Sequence, residues 1–198
     1  MANEVVDLRT PLEEGRARSL RAGEAVTISG TAYIARDAAH KRLCEAIEAG
    51  IRLPFEPAGQ IVYYAGPTPA RPGKPIGAVG PTTSYRMDPY VEPLLKLGLR
   101  GMVGKGVRSH NIKGLLKQYG AIYFVATGGA GALLASCIRQ AEVIAYPELG
   151  PEALRRVEMD HFPAYVAYDA HEGDLYEESQ ARWRDCGSQA RSHPNAEA

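Results

Sequence analysis

GPTTSYRMDPY, residues 80–90, sets Thr82, Thr83, Ser84 and Arg86 on one turn directly behind a Gly-Pro pair. Hydroxyls and a guanidinium at this spacing have two uses. If a helix begins between Ser84 and Asp88, with Pro89 near its first turn where no N–H is needed, then Thr83 or Ser84 is a cap and Arg86 a solvated side chain. The same turn would present free backbone N–H groups at the positive end of a helix dipole, and Arg86 would add a planar fork of donors that matches a carboxylate. That second use is a seat for an organic acid. The turn alone does not choose between the two.

Two further cations stand at comparable places. In GMVGKGVRS, Lys105 lies between Gly104 and Gly106 at a strand end, where no bulky neighbour keeps a ligand away; Gly106 takes the place of the Ser or Thr of a P-loop, so that motif is excluded. In TAYIARDAAHKRL, Arg36 falls at a strand-to-helix junction, where α/β sheets gather ligands, although a surface contact with Asp37 accounts for it equally. His40, about one helical turn further on, either lines the same place or packs. ATGGAGA (126–132) lacks a G-x-G-x-x-G fingerprint and reads as glycines for close helix packing. A self-sufficient Ser or Cys hydrolase has no G-x-S-x-G elbow or Cys/His pairing behind it.

Strands alternating with helices must position these residues. EAVTISGTAYIA (24–35) reads as one or two strands and RDAAHKRLCEAIEAG as a helix capped by Asp37 and ended by Gly50. QIVYYAG (60–66) is a strand that runs into a shaped loop rich in proline and glycine, PTPARPGKPIGAVG. RMDPYVEPLLKLG is a helix, LRGMVGKG a strand, SHNIKGLLKQYG a helix, AIYFVAT a strand and GGAGALLASCIRQ a helix. From Glu142 several short strands, broken by a Gly173 turn, close the sheet with antiparallel pairs. The fold class is α/β with a mixed sheet and flanking helices. Residues 1–186 form one domain and 187–198 a disordered polar tail.

The 198 residues suit a single core, with 45% hydrophobic and 23% charged residues, an ordinary globular composition. Lys+Arg and Asp+Glu are both 23, so the overall field that draws nucleic acid is missing. The longest apolar stretch, 121–138, is broken by Thr127 and glycines and is no membrane span, and the N-terminus does not read as a signal peptide. The expected compartment is the cytoplasm. Cys44, Cys137 and Cys186 lack C-x-x-C spacing; their number would suit a four-iron cluster with one open iron, but free cysteine is commonly a small buried hydrophobe.

TAYIARDAAHKRL, IVYYAGPTPARPGKP, AVGPTTSYRMDPY, GLRGMVGKGVRS, YGAIYFVATGGAGALLASCI and AYPELGPEALRRVEMDHFPAYV, in this order, resemble the β subunit or C-terminal domain of class I iron–sulfur fumarases and L-tartrate dehydratases. The resemblance covers about residues 10–178, and GPTTSxRM followed by GKG is its most specific part. It implies a swivelling β/β/α domain that closes over a cluster-bearing α subunit. The [4Fe-4S] cluster belongs to that partner, so none is expected on this chain. The implied activity is reversible hydration of fumarate to (S)-malate, with tartrate dehydration the nearest rival. Arg36, Arg86 and Lys105 match the family's substrate-binding cations, and Thr82 matches the residue proposed as catalytic base. An alternative of another class is a non-catalytic dicarboxylate-binding or assembly module. A homodimer contact through an exposed apolar face is a further expectation.

Overall fold

The structure is a computed structural model that describes residues 5–191. In chain order the elements are β1 (Val6–Arg9), α1 (Glu14–Ser19), β2 (Ala25–Ile34), α2 (Asp37–Glu48), β3 (Ile61–Tyr63), α3 (Asp88–Lys96), β4 (Gly101–Gly104), α4 (Asn111–Tyr119), β5 (Ile122–Val125), α5 (Gly131–Ser136), β6 (Ile138–Ala145), β7 (Leu154–Tyr168) and α6 (Leu175–Arg191). Short 3-10 turns occupy Ser84–Met87 and Pro147–Glu152. The expected α/β class with a mixed sheet and flanking helices is what forms.

β2, β3, β4 and β5 run parallel, β5 pairs antiparallel with β7, and β7 pairs antiparallel with β2. The pairing therefore closes on itself, with β1 and β6 added outside the ring. Closure removes free edges from these strands and gives the sheet an inside and an outside. Side chains alternate accordingly. Ile61, Tyr63, Val103, Ile122 and Phe124 point inward with Ile28 and Phe162, whereas Val62, Tyr64, Met102 and Tyr123 point outward under the helices. On α2 the buried residues Ala39, His40, Leu43 and Cys44 make one stripe, which packs with the apolar faces of α3 and α4 against that outer layer.

Four expectations change. The helix after Gly131 stops at Ser136, because Ile138 pairs with Met159 and enters the inner core, so the chain turns to strand where a longer helix was read. The several short strands after residue 142 are instead β6 and a single fifteen-residue β7. β7 carries Pro163 opposite Thr27, and a two-residue bulge at Asp160 and His161 lets it continue, His161 N–H donating to Ser29 Oγ at 3.0 Å. DLYEE is helix: the Asp174 carboxylate accepts from Tyr176 N–H (2.9 Å) and Glu177 N–H (3.2 Å), a cap that the D-x-x-E spacing could have revealed. α6 continues to Arg191, past the boundary expected at residue 186, and residues 192–198 of the expected tail lie outside the described residues.

Candidate anion-binding edge

Because β2, β3, β4 and β5 are parallel neighbours, whatever follows each of them emerges on the same edge of the sheet. Arg36 follows β2, Gly66 follows β3, Lys105 follows β4 and Thr127–Gly128–Gly129 follow β5. The GPTTS segment returns to this edge after the proline-rich loop. Pro81 bridges Ala65, Thr82 N–H donates to the Tyr64 carbonyl (2.7 Å), Lys105 N–H donates to the Thr82 carbonyl (3.1 Å), and Ser84 N–H donates to the Lys105 carbonyl (3.0 Å). Residues 81–84 are thus stitched between the ends of β3 and β4, with their backbone groups paired.

Gly104 makes this close approach possible, since a Cβ there would fall on the Ser84 hydroxyl. Ser84 is fully buried and does not cap a helix. Its Oγ accepts from Lys105 N–H (3.1 Å) and lies 2.9 Å from the Tyr123 hydroxyl, which is also 2.8 Å from the Gly106 carbonyl. Tyr123 has one hydrogen and the carbonyl only accepts, so that hydrogen goes to Gly106 and Ser84 donates to Tyr123. The main chain on both sides of Lys105 is held from below, while its side chain is exposed.

Arg36 crosses Gly66, where a Cβ would stand 3.0 Å from Nη1. Its Nη2 is 3.2 Å from Glu152 Oε1 and 3.7 Å from Asp37 Oδ2. Arg86 donates through Nε to Asp37 Oδ1 (2.8 Å) and through Nη2 to Oδ2. The hydrogen-bonded Arg86 holds the Asp37 carboxyl below its ordinary range against the opposing effect of burial. Asp37 is therefore the first residue inside α2 rather than its cap, and its carboxylate serves the two arginines.

The four expected site residues fall in two pairs on one edge: Arg36 with Arg86 through Asp37, and Thr82 with Lys105 through the backbone. Tyr64 and its neighbour join the pairs, for Thr82 leans on the Tyr64 carbonyl while Ala35, just before Arg36, donates to the Tyr63 carbonyl at 3.2 Å. His40 does not line this edge. It is fully buried behind it, edge-on to the Tyr64 ring at 5.2 Å, with Nδ1 2.9 Å from the Arg36 carbonyl. Desolvation pushes its pKa down to about 4, so the ring is neutral.

Sequence reasoning missed the ionic foundation under the edge. Arg108, with its side chain fully buried, donates through Nε to Asp88 and lies over the rings of Tyr123 (4.9 Å) and Tyr64 (5.5 Å). Asp88 also accepts from Ser109 N–H (2.7 Å) and Oγ (2.6 Å). No local spacing announces this pair, because its members are brought together by packing α3 beside the segment after β4. Glu152, missed likewise, holds Arg36 and accepts from Ala38 N–H at 3.2 Å, in the first turn of α2.

A cavity of about 570 Å³ lies elsewhere, between the 68–78 loop, α5 and β6, and is lined by none of Arg36, Thr82, Arg86 or Lys105. Tyr85 (57% exposed) and Val107 (56%) leave apolar surface beside the cations. Cys137 packs against the inner core, and Cys44 Sγ sits 3.5 Å from the Tyr90 carbonyl of α3, on the outer side of the sheet. Those two thiols cannot ligate one cluster. Among the described residues no group of three His, Cys, Asp or Glu is placed to hold a metal ion, and no helix is long and apolar enough to cross a membrane.

A ring-closed α/β domain that presents an arginine and a lysine from two strand ends, and a threonine and a second arginine from the segment stitched between them, has the donors of an anion-binding domain. The chain belongs to the family described as Fumarase C-terminus, whose model matches residues 1–179. It is 37% identical over 177 residues to "Fumarate hydratase class I, anaerobic" of Escherichia coli K12, covering 87% of this chain and 32% of that protein. It is 39% identical over 155 residues to "Fumarate hydratase 1, mitochondrial" of Leishmania major, covering 77% of this chain and 28% of the relative. It is 35% identical over 167 residues to "Putative L(+)-tartrate dehydratase subunit beta" of Methanocaldococcus jannaschii, covering 81% and 86%. The chain thus spans about a third of the length of the fumarate hydratases it matches.

Proposed function

We propose that this chain is the β subunit of a two-chain iron–sulfur hydro-lyase of the cytoplasm that hydrates fumarate reversibly to (S)-malate. The observation that carries the reading is the placement of Arg36, Arg86, Lys105 and Thr82 on one edge of the parallel strands. A C4 dicarboxylate has two negative ends, and cations fixed at two strand ends and on the 3-10 turn beside them neutralise and orient both. The same donors act most strongly on the extra negative charge that develops when the carbon next to a carboxylate loses its proton. Thr82 stands beside Lys105 through the Thr82 carbonyl and is the candidate for that proton. A threonine hydroxyl is a weak base in water, so the cations beside it and a relay from the partner must assist it.

The [4Fe-4S] cluster implied by the resemblance has its ligands in the α subunit in this reading. The separated thiols Cys44 and Cys137 support placing it there. Exposed Tyr85 and Val107 beside an otherwise open edge fit a domain completed by a partner that excludes water. The name of the Methanocaldococcus relative, matched along most of its length, supports a separate subunit.

The test is anaerobic turnover of the chain copurified with its cluster-bearing partner, on fumarate, malate and both tartrates. Turnover of fumarate and malate is the expected result; turnover of tartrate alone makes the chain a tartrate dehydratase subunit, a reading favoured by the same Methanocaldococcus relative. Thr82→Ala separates an enzyme half-site from a non-catalytic binding module. A fall in kcat of roughly 10²- to 10⁴-fold with assembly intact supports the half-site; full turnover supports the module.

A further inference from the structure

The cations of this edge are themselves held by carboxylates. Arg86, Asp37, Arg36 and Glu152 form a row of alternating charge, with Asp37 contacting both guanidinium groups and Glu152 the outer one. A guanidinium has five N–H donors in a fixed plane. Arg86 spends its Nε donor and one Nη2 donor on Asp37, which leaves both hydrogens of Nη1 and the second of Nη2 for a ligand. A long exposed arginine otherwise samples many rotamers and loses that freedom on binding. The Asp37 side chain is itself only about a third exposed, at the start of α2, a rigid element packed on the sheet.

We propose that Asp37 is the positioning residue of the site: its carboxylate fixes the plane of Arg86 and draws Arg36 to the same point, so that one substrate carboxylate meets preset donors from both. The inference rests on the proposed dicarboxylate site. It differs from a latch in which Asp37 merely occupies Arg86 and competes with substrate, since the two arrangements move binding in opposite directions.

Asp37→Asn keeps the size of the side chain and removes its charge. In the complex copurified with the partner subunit, steady-state kinetics with the dicarboxylate should show KM raised roughly ten- to hundredfold with kcat changed far less, the split expected when a ground-state contact is lost. Asp37→Glu, which keeps both oxygens and the charge, should restore part of the affinity, and it serves as the second reading if the asparagine variant assembles poorly. Arg86→Ala is run alongside. If Arg86→Ala raises KM but both Asp37 variants bind as the parent does, the positioning role is wrong and the site reading survives. If Arg86→Ala leaves KM unchanged, the site reading fails and takes this one with it. A fall in KM in Asp37→Asn would overturn positioning in favour of the latch.

Discussion

At the scale of single residues, the site depends on side chains that never face it. His40 is neutral because its ring is fully buried, with a pKa pushed down to about 4 from an ordinary 6.5. In the unfolded chain the ring takes a proton near pH 6.5, so between pH 6.5 and 4 the unfolded state binds more protons and stability falls as pH falls. The loss through that window is about 3 kcal/mol. Denaturant titration across pH 4 to 6.5 should show this slope in the parent and not in His40→Gln. The carboxyl of Asp37, held below its ordinary 3.8, contributes with the same sign only at lower pH. Asp88 gives a second prediction. Removing it leaves a buried Arg108 without its charge partner, and Asp88→Ala should cost about 3–5 kcal/mol by chemical denaturation, with Asp88→Asn costing less because it can still accept.

At the scale of elements, the junction between β4 and the GPTTS segment decides where Lys105 stands. Ser84 and Tyr123 clamp the main chain around Lys105, and this requires no side chain at Gly104. Gly104→Ala places a methyl against the Ser84 hydroxyl and 3.1 Å from the Tyr64 ring, between two buried groups that cannot both yield. Overpacking of this kind costs about 1–3 kcal/mol, read as a lower melting temperature of the isolated chain, and turnover in the complex should fall further than stability alone explains because Lys105 moves. Ser84→Ala should fold nearly as well and lose activity, since it removes the clamp without adding bulk. Helix α2 matters in the same way: it carries Arg36 at its start and Asp37 in its first turn, and its buried stripe fixes both to the sheet.

At the scale of the whole molecule, a closed ring of strands gives a rigid body with its cations on one open edge, and the proposed chemistry needs that edge covered. Hydrogen exchange of the chain alone and with its partner should show new protection at residues 85–86 and 105–107, flanking exposed Tyr85 and Val107, and little change in β6. Protection confined to the outer strands would place the interface elsewhere and count against a shared active site. The absence of net charge fits this arrangement: with Lys+Arg and Asp+Glu equal at 23, the attraction for a dianion comes from local placement rather than from a global field.

The order of strands and helices was legible in the chain because their hydrophobic periods, glycine stops and caps are local properties; Arg36 and Lys105 were legible as cations at strand ends, and Arg86 as a guanidinium on the turn that opens a helix. The motif GPTTSYRM also carried a family resemblance that a single turn could not. What lay beyond the sequence was pairing at a distance. Whether Arg86 was a solvated side chain or a held one depended on Asp37, which is 49 residues away in sequence and hydrogen-bonds it across the fold. The single long β7 depended on β2, β5 and β6 offering it partners along its length, so that cross-strand hydrogen bonds outweighed the break that Pro163 announces locally. Local chemistry sets what each segment can become, and closure of the ring decides which residues meet.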